Sequence, residues 1–377
     1  MKIKNIVQSF FESEKSAGII LIACTLFSLV LTNSSVGDAY THFWHYHFTD
    51  TVTFEMIINE GFMAIFFLLV GLELKHELHE GELASRQKAM LPLFAALGGM
   101  IFPALIFMLL NNGTYSQRGA GIPIATDIVF ALGILSLLGN KVSLALKVFL
   151  TAFAVIDDLG AIVVIGLFYS SGVVWANLFM ALALTLLLFL LNKMKIYNLI
   201  PYLIIGMAIW YFMLHSGIHA TLAGVMLAFV IPFEKNKTLG NFLDMPVNNF
   251  ILPLFALANT CVLIDAGAIH ALTETNGLGI LLGLILGKPL GIVLFSFISV
   301  YLGLSALPQG VNWKHIAGVA MLGGIGFTMS IFIAQLAFGQ NEIFINNSKL
   351  AILIASGISG IFGLAYLKFV AKNQDPV

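Results

Sequence analysis

Long apolar stretches follow one another through this chain, each bounded by glycine, proline, asparagine or a small cluster of charges. A helix needs about 20 predominantly apolar residues to cross the hydrocarbon core of a bilayer, and somewhat fewer suffice when polar flanks reach the interface. Twelve stretches meet that length, here numbered spans one to twelve: 17–32, 57–75, 90–110, 120–139, 143–169, 173–191, 197–214, 216–232, 247–264, 277–304, 316–338 and 349–370. No segment between them is long enough for a soluble domain. The pattern predicts an all-α polytopic membrane protein of twelve transmembrane helices, with residues 1–377 forming a single integral membrane domain.

Composition agrees. Hydrophobic residues make up 59% and charged residues 10%, against about a quarter charged in soluble domains. A net charge of −1 with no cationic stripe excludes a nucleic-acid partner. Cys24 and Cys261 both lie in apolar runs and read as small hydrophobes. The polar, amphipathic start of the chain (Met1, Lys2, Lys4, Glu12, Glu14, Lys15) lacks a small-residue cleavage site, so the first span is expected to be retained.

Lysine and arginine in short loops stay cytoplasmic. Of the 18 cations, Lys147 and Lys288 fall inside spans, and alternating twelve spans from a cytoplasmic N-terminus divides the other sixteen unevenly. Fourteen lie on one side: Lys2, Lys4, Lys15, Lys75, Arg86, Lys88, Lys141, Lys193, Lys195, Lys235, Lys237, Lys314, Lys368 and Lys372. Only Arg118 and Lys349 lie on the other. The split predicts that both termini are cytoplasmic.

Two spans carry residues that disfavour an unbroken helix: Gly121, Pro123, Thr126 and Asp127 in span four, and Gly323, Gly324, Gly326, Thr328 and Ser330 in span eleven. They lie an odd number of spans apart, so spans 3–5 and 10–12 would run in opposite directions. That is the inverted-repeat arrangement of many secondary transporters, whose sites lie near the midplane at paired discontinuous helices. The plainer alternative is that glycine and proline are simply common in membrane helices.

Charges inside a bilayer are expensive, and four sit near mid-span: Asp127, Asp157, Asp158 and Lys288. At similar depth they call for a shared aqueous cavity. Adjacent Asp157 and Asp158 project about 100° apart on a helix, so one could pair with Lys288 while the other stays free. Two neighbouring carboxylates cannot both ionise cheaply in a low dielectric, so the pair is expected to titrate as a unit and carry a proton. Deprotonated, the same oxygens, helped by Thr126 and by carbonyls freed at a helix break, suit a small hard cation such as Na⁺ or Li⁺. Proton and cation would compete for one site. Asp127 has an alternative role as N-cap of the second half of a broken helix. Lys288 either locks the structure by ion-pairing at negative half-helix ends or carries a proton itself. Lys147 is expected to snorkel.

Other ionisable groups read differently. Glu73, Lys75, His76, Glu77, His79, Glu80 and Glu82 cluster at the end of span two, as a solvated helix end or as a cytoplasmic funnel that responds to pH. The histidines are one residue too close for a His-Glu-X-X-His zinc helix. His42, His45 and His47 are expected in a short interfacial helix with Phe43, Trp44, Tyr46 and Phe48, metal binding being the alternative. His215 and His219, with no acid nearby in sequence, read as satisfied polar residues.

Several long segments are similar to one family: Phe66-Phe67-Leu68-Leu69-Val70-Gly71-Leu72-Glu73, Ile124-Ala125-Thr126-Asp127 and Ile156-Asp157-Asp158-Leu159-Gly160-Ala161. Ser216-Gly217-Ile218-His219-Ala220-Thr221-Leu222-Ala223-Gly224, Gly287-Lys288-Pro289-Leu290-Gly291 and Gly324-Ile325-Gly326-Phe327-Thr328-Met329-Ser330 follow in the same order. From end to end the chain resembles the NhaA-type sodium/proton antiporters of bacteria. The resemblance implies an inverted-repeat fold in which interrupted spans four and eleven cross. It also implies an inner-membrane location, homodimerisation and net charge movement, with more protons entering than sodium ions leaving. By the same resemblance Asp158 is the principal cation ligand with Asp157 and Thr126 nearby, and Asp157 pairs with Lys288. Asp127 compensates positive half-helix ends, Lys288 negative ones, and Glu73 stands in the cytoplasmic funnel. His76 stands where relatives often have arginine, and 243–246 lacks the histidines found there in some relatives.

The expected function is secondary active Na⁺(Li⁺)/H⁺ exchange by alternating access, serving pH and sodium homeostasis, with no enzyme activity and no cofactor. A sodium-coupled organic solute symporter would need more polar groups at the crossing than Ile128, Ala131, Phe327 and Met329 supply. An intramembrane aspartyl protease would need its aspartates on separate helices.

Overall fold

The computed structural model describes residues 14–49, 52–169, 172–339 and 341–372. Met1, Lys2, Lys4 and Glu12, and the side chains of Glu14, Lys15 and Lys372, lie outside the described residues. Among the described residues, six helices are long and apolar enough to cross a membrane: Phe54–His79, Arg86–Leu110, Leu144–Phe168, Trp175–Lys193, Thr275–Tyr301 and Glu342–Ala371. Two bent pairs raise the number to eight: Tyr115–Ile124 with Ile128–Ser136, at 42°, and Trp313–Gly323 with Phe327–Phe338, at 45°. Shorter apolar helices occupy the segments read as spans one, seven, eight and nine: Ser16–Thr32, Leu199–Leu214, Leu222–Val230 and Leu252–Asn259.

The helix bearing Asp157 and Asp158 is the most enclosed of the six, with 61% of its apolar window buried, whereas Trp175–Lys193 has 11% buried and presents Phe179, Leu186 and Leu190 outward. Burial therefore separates a central helix from a peripheral, lipid-facing one of similar hydrophobicity. Close packing at the centre depends on small residues, as membrane helices require in the absence of a hydrophobic drive between them. Spans three and ten touch backbone to backbone at Gly98 and Gly291, where a Cβ on either would strike the other's carbonyl oxygen. Gly224 likewise meets the Ala64 carbonyl of span two.

Three expectations are corrected. The outer segment is not wholly helical: Gly37–Trp44 is a helix, but His47–Thr49 pairs antiparallel with Val52–Thr53, so the fold carries a small two-stranded hairpin where an interfacial helix was expected. Span eight becomes helical only at Leu222, because Gly217 adopts φ +79° and Ser216 closes a turn by accepting from the Ile218 amide at 3.1 Å. The connection between spans eight and nine, where no helix is expected, contains one, Phe233–Pro246.

Candidate functional site

Span four runs as a tight 3-10 helix over Tyr115–Ile124, turns extended at Ala125 and resumes as an α-helix at Ile128. Span eleven ends its first half at Gly323 and restarts at Phe327. Breaks in mid-span expose backbone groups that lipid cannot satisfy. Here the two breaks satisfy each other. The Asp127 amide donates to the Ile325 carbonyl at 2.7 Å, and the Ser330 hydroxyl donates to the Ile122 carbonyl at 2.6 Å. One Asp127 oxygen accepts from the Phe130 amide at 2.9 Å, capping its own half-helix; the other accepts from the Thr328 amide at 3.1 Å and from the Thr328 hydroxyl. Two half-helix N-termini therefore point their positive ends at one carboxylate. The N-cap considered for Asp127 is thus present, and the same carboxylate also accepts from the start of the second half of span eleven.

The negative, carbonyl end of the 3-10 half meets a lysine. Lys288 is fully buried at the start of Lys288–Tyr301, and its ammonium donates to the Ile124 carbonyl, the last of the 3-10 half, and to Asp157 Oδ2 at 2.6 Å. The Thr126 hydroxyl lies 2.8 Å from the same Asp157 oxygen and 2.9 Å from the Gly323 carbonyl, the end of the other half-helix. Asp157, at 0% exposure, is thus held from two helices, though its Oδ1 has no hydrogen-bond partner.

Asp158 faces elsewhere. It lines a cavity of about 560 Å³ that also touches Asp127, Thr328 and Met329 at the crossing. Asp158 Oδ1 is buried without a partner. Away from the crossing the cavity passes Glu73, which is exposed to it, then His76 and Glu77. The predicted funnel residues Glu73, His76 and Glu77 therefore share one space with Asp158 of the predicted ion site, while Asp157 does not line it. Thr126 is brought to Asp157 and not to the cavity wall.

Sequence reading missed the far wall. Asn236, Lys237, Gly240, Asn241 and Asp244 line the cavity from Phe233–Pro246. Their spacing, i, i+1, i+4, i+5, i+8, is one face of a helix, and that periodicity was available in the sequence. Other placements differ from expectation. Lys75, read as part of a solvated end, is buried and donates to the Ala228, Phe229 and Ile231 carbonyls, capping Leu222–Val230. Lys147 donates to the hydroxyl of Ser136, the last residue of Ile128–Ser136, at 3.0 Å. His219 does have an acid, Glu60, at 3.4 Å, contributed from span two. His45 lies 3.3 Å from Glu55, and among the described residues no three His, Cys, Asp or Glu side chains are grouped to hold a metal ion.

The family described as Na⁺/H⁺ antiporter 1 matches residues 8–367. The Na(+)/H(+) antiporter NhaA of Flavobacterium psychrophilum is 56% identical over 379 residues, covering 99% of this chain and 98% of its own length. The protein of the same name from Cytophaga hutchinsonii is 52% identical over 379 residues, covering 99% and 97%. That from Vibrio cholerae is 46% identical over 374 residues, covering 97% of each. With its length matched almost throughout, and with two broken helices joined around buried aspartates, the chain belongs to the Na⁺/H⁺ antiporter 1 family.

Proposed function

We propose that this protein exchanges sodium ions for protons across a membrane, with Asp158 as the residue that holds one or the other. It is a multi-pass membrane transporter and not an enzyme. The observation that carries the site assignment is the placement of Asp158, at the bottom of the cavity with an unpartnered oxygen, while its neighbour Asp157 is tied to Lys288 and Thr126. A carboxylate reached by water but surrounded by protein accepts a proton or a hard cation, and occupancy by one excludes the other. Asp157 and Thr126 support the Asp158 site from behind, and Li⁺ follows Na⁺ as a second small hard cation. Asp127 and Lys288 balance the half-helix ends at the crossing. Glu73, His76 and Glu77 gather cations at the cavity mouth and tune the response to pH.

The finer architecture belongs to the same proposal. Adding the four shorter apolar helices to the six long ones and the two bent pairs gives twelve spans in one membrane domain over residues 1–377. Spans 3–5 and 10–12 are inverted repeats, and spans four and eleven cross at their breaks. The cation distribution supports cytoplasmic termini in a bacterial inner membrane. The protein works as a homodimer, extrudes sodium, and moves net charge because more than one proton enters for each sodium ion.

Everted vesicles energised by respiration are expected to lose part of their proton gradient when Na⁺ or Li⁺ is added. Asp158→Asn, which keeps the shape and removes the ionisable group, is expected to abolish that response. Undiminished exchange by a correctly inserted Asp158→Asn protein would sink the assignment.

A further inference from the structure

The cavity approaches the helix crossing from one side, and a polar network that the exchange chemistry does not use lies on the other. Asn59, in a π-helical turn of span two, and Asn259, at the end of Leu252–Asn259, exchange amide hydrogen bonds at 2.8 and 3.3 Å. The Gln335 amide, near the end of Phe327–Phe338, donates to Asn259 Oδ1 and to Glu55 Oε1, the latter at 3.0 Å. The other Glu55 oxygen faces His45 at 3.3 Å. None of Glu55, Asn59, Asn259 and Gln335 lines the cavity.

An aromatic layer lies between. Phe332 packs on Phe67 with ring centres 5.6 Å apart and on Phe255 at 6.5 Å. These three rings come from the same three helices as the polar groups, on the side nearer the crossing. Gln335 stands seven residues beyond Thr328, about 10 Å along the helix axis. The site is thus closed distally by an apolar layer backed by hydrogen bonds.

The two walls concerned are those of the cavity itself. Span two supplies Phe66, Leu69, Val70 and Glu73 to one wall, and the broken helices supply Asp127, Thr328 and Met329 to the other. Where Glu73 stands the walls are apart; where Glu55 and Asn59 stand they are joined through Gln335. For Asp158 to face the distal side, the walls must part at Gln335.

We propose that Gln335, bonded to Glu55 and Asn259, is a distal latch: a positioning residue that holds the conformation in which Asp158 faces the cavity, and whose bonds break in each transport cycle. The inference rests on the alternating-access reading above. One of the two bonds has a carboxylate acceptor, and together they are expected to bias the conformational equilibrium by at least about tenfold.

Half-saturation by Na⁺, measured on the cavity face and on the distal face in vesicles of opposite orientation, tests this. Each apparent affinity scales with the fraction of protein facing that side, so the ratio of the two reports the equilibrium. For Gln335→Ala the distal-to-cavity ratio of half-saturating Na⁺ concentrations is expected to fall about tenfold, and for Glu55→Gln about threefold, since size is kept and only charge is lost. A ratio unchanged within twofold in a Gln335→Ala protein that still exchanges overturns the latch, even if thermal stability drops. Should Gln335→Ala fail to insert, Glu55→Gln decides by the same criterion: an unchanged ratio overturns the latch and a lowered one supports it. Absence of sodium-dependent proton movement in the unaltered protein would instead overturn the exchange reading.

Discussion

Lys288 shows how much a single buried side chain can hold. It bonds Asp157 and the carbonyl end of a half-helix at once, with no exposure to water. Breaking a buried pair by removing one partner typically costs about 3–5 kcal/mol, because the remaining charge is left uncompensated. Lys288→Met is therefore expected to lower the melting temperature of the detergent-solubilised protein sharply, and the double variant Lys288→Met with Asp157→Asn to recover most of the loss. A Lys288→Met protein as stable as the parent would remove the structural role. Loss of voltage-dependent exchange without loss of stability would point to proton carriage by the lysine. The four intramembrane charges were legible because charges are scarce in this chain. Which aspartate pairs with Lys288 was not legible from spacing. Adjacent residues differ by about 100° on a helix, and only the rotation of Leu144–Phe168 against spans four and ten, set by packing, sends Asp157 to Lys288 and Asp158 to the cavity.

At the scale of elements, the breaks in spans four and eleven were visible as glycine and proline, but their mutual satisfaction was not. It depends on pairs such as Asp127 with Thr328 and Ser330 with Ile122, which are 201 and 208 residues apart. Asp127→Ala leaves the Phe130 and Thr328 amides without their carboxylate, and an unsatisfied buried donor costs about 1–3 kcal/mol. Asp127→Asn keeps one acceptor for the Phe130 cap. The expected order of thermal stability is the unaltered protein, then Asn, then Ala; equal stability of the two variants would show that the cap contributes nothing. The contact of spans three and ten was equally hidden. Nothing in the sequence distinguishes Gly98 and Gly291 from other membrane glycines, yet a Cβ at either meets the facing carbonyl. Gly291→Ala is expected to destabilise by about 1–3 kcal/mol, as overpacking does, and a thermal melt equal to that of the parent would show that the backbones have room to part. The helix Phe233–Pro246 was missed for the reverse reason: its polar face lines the cavity, so it lacks the apolar run that marked the other helices.

Across the whole molecule, charge distribution and cavity placement point the same way. Lys75 and Lys349 are buried, which removes both from the count of loop cations and leaves thirteen against one, a sharper asymmetry than the raw sequence suggested. The mouth of the cavity is bounded by His76, Lys237 and Asp244, on the cation-rich side. If that side is cytoplasmic, Lys237→Cys, placed on an exposed residue of the cavity wall in a background lacking Cys24 and Cys261, is expected to react with a membrane-impermeant maleimide in everted vesicles and not in intact cells. Arg118→Cys, also at an exposed position, is expected to behave oppositely. The pair tests more than orientation. Five spans, four to eight, separate residue 118 from residue 237 in the twelve-span reading, and two of them rest on the short helices Leu199–Leu214 and Leu222–Val230. Labelling of both cysteines from the same face would require an even number of crossings between them. One of those short helices would then not cross the membrane, the spacing between spans four and eleven would become even, and spans 3–5 and 10–12 would no longer be inverted relative to each other.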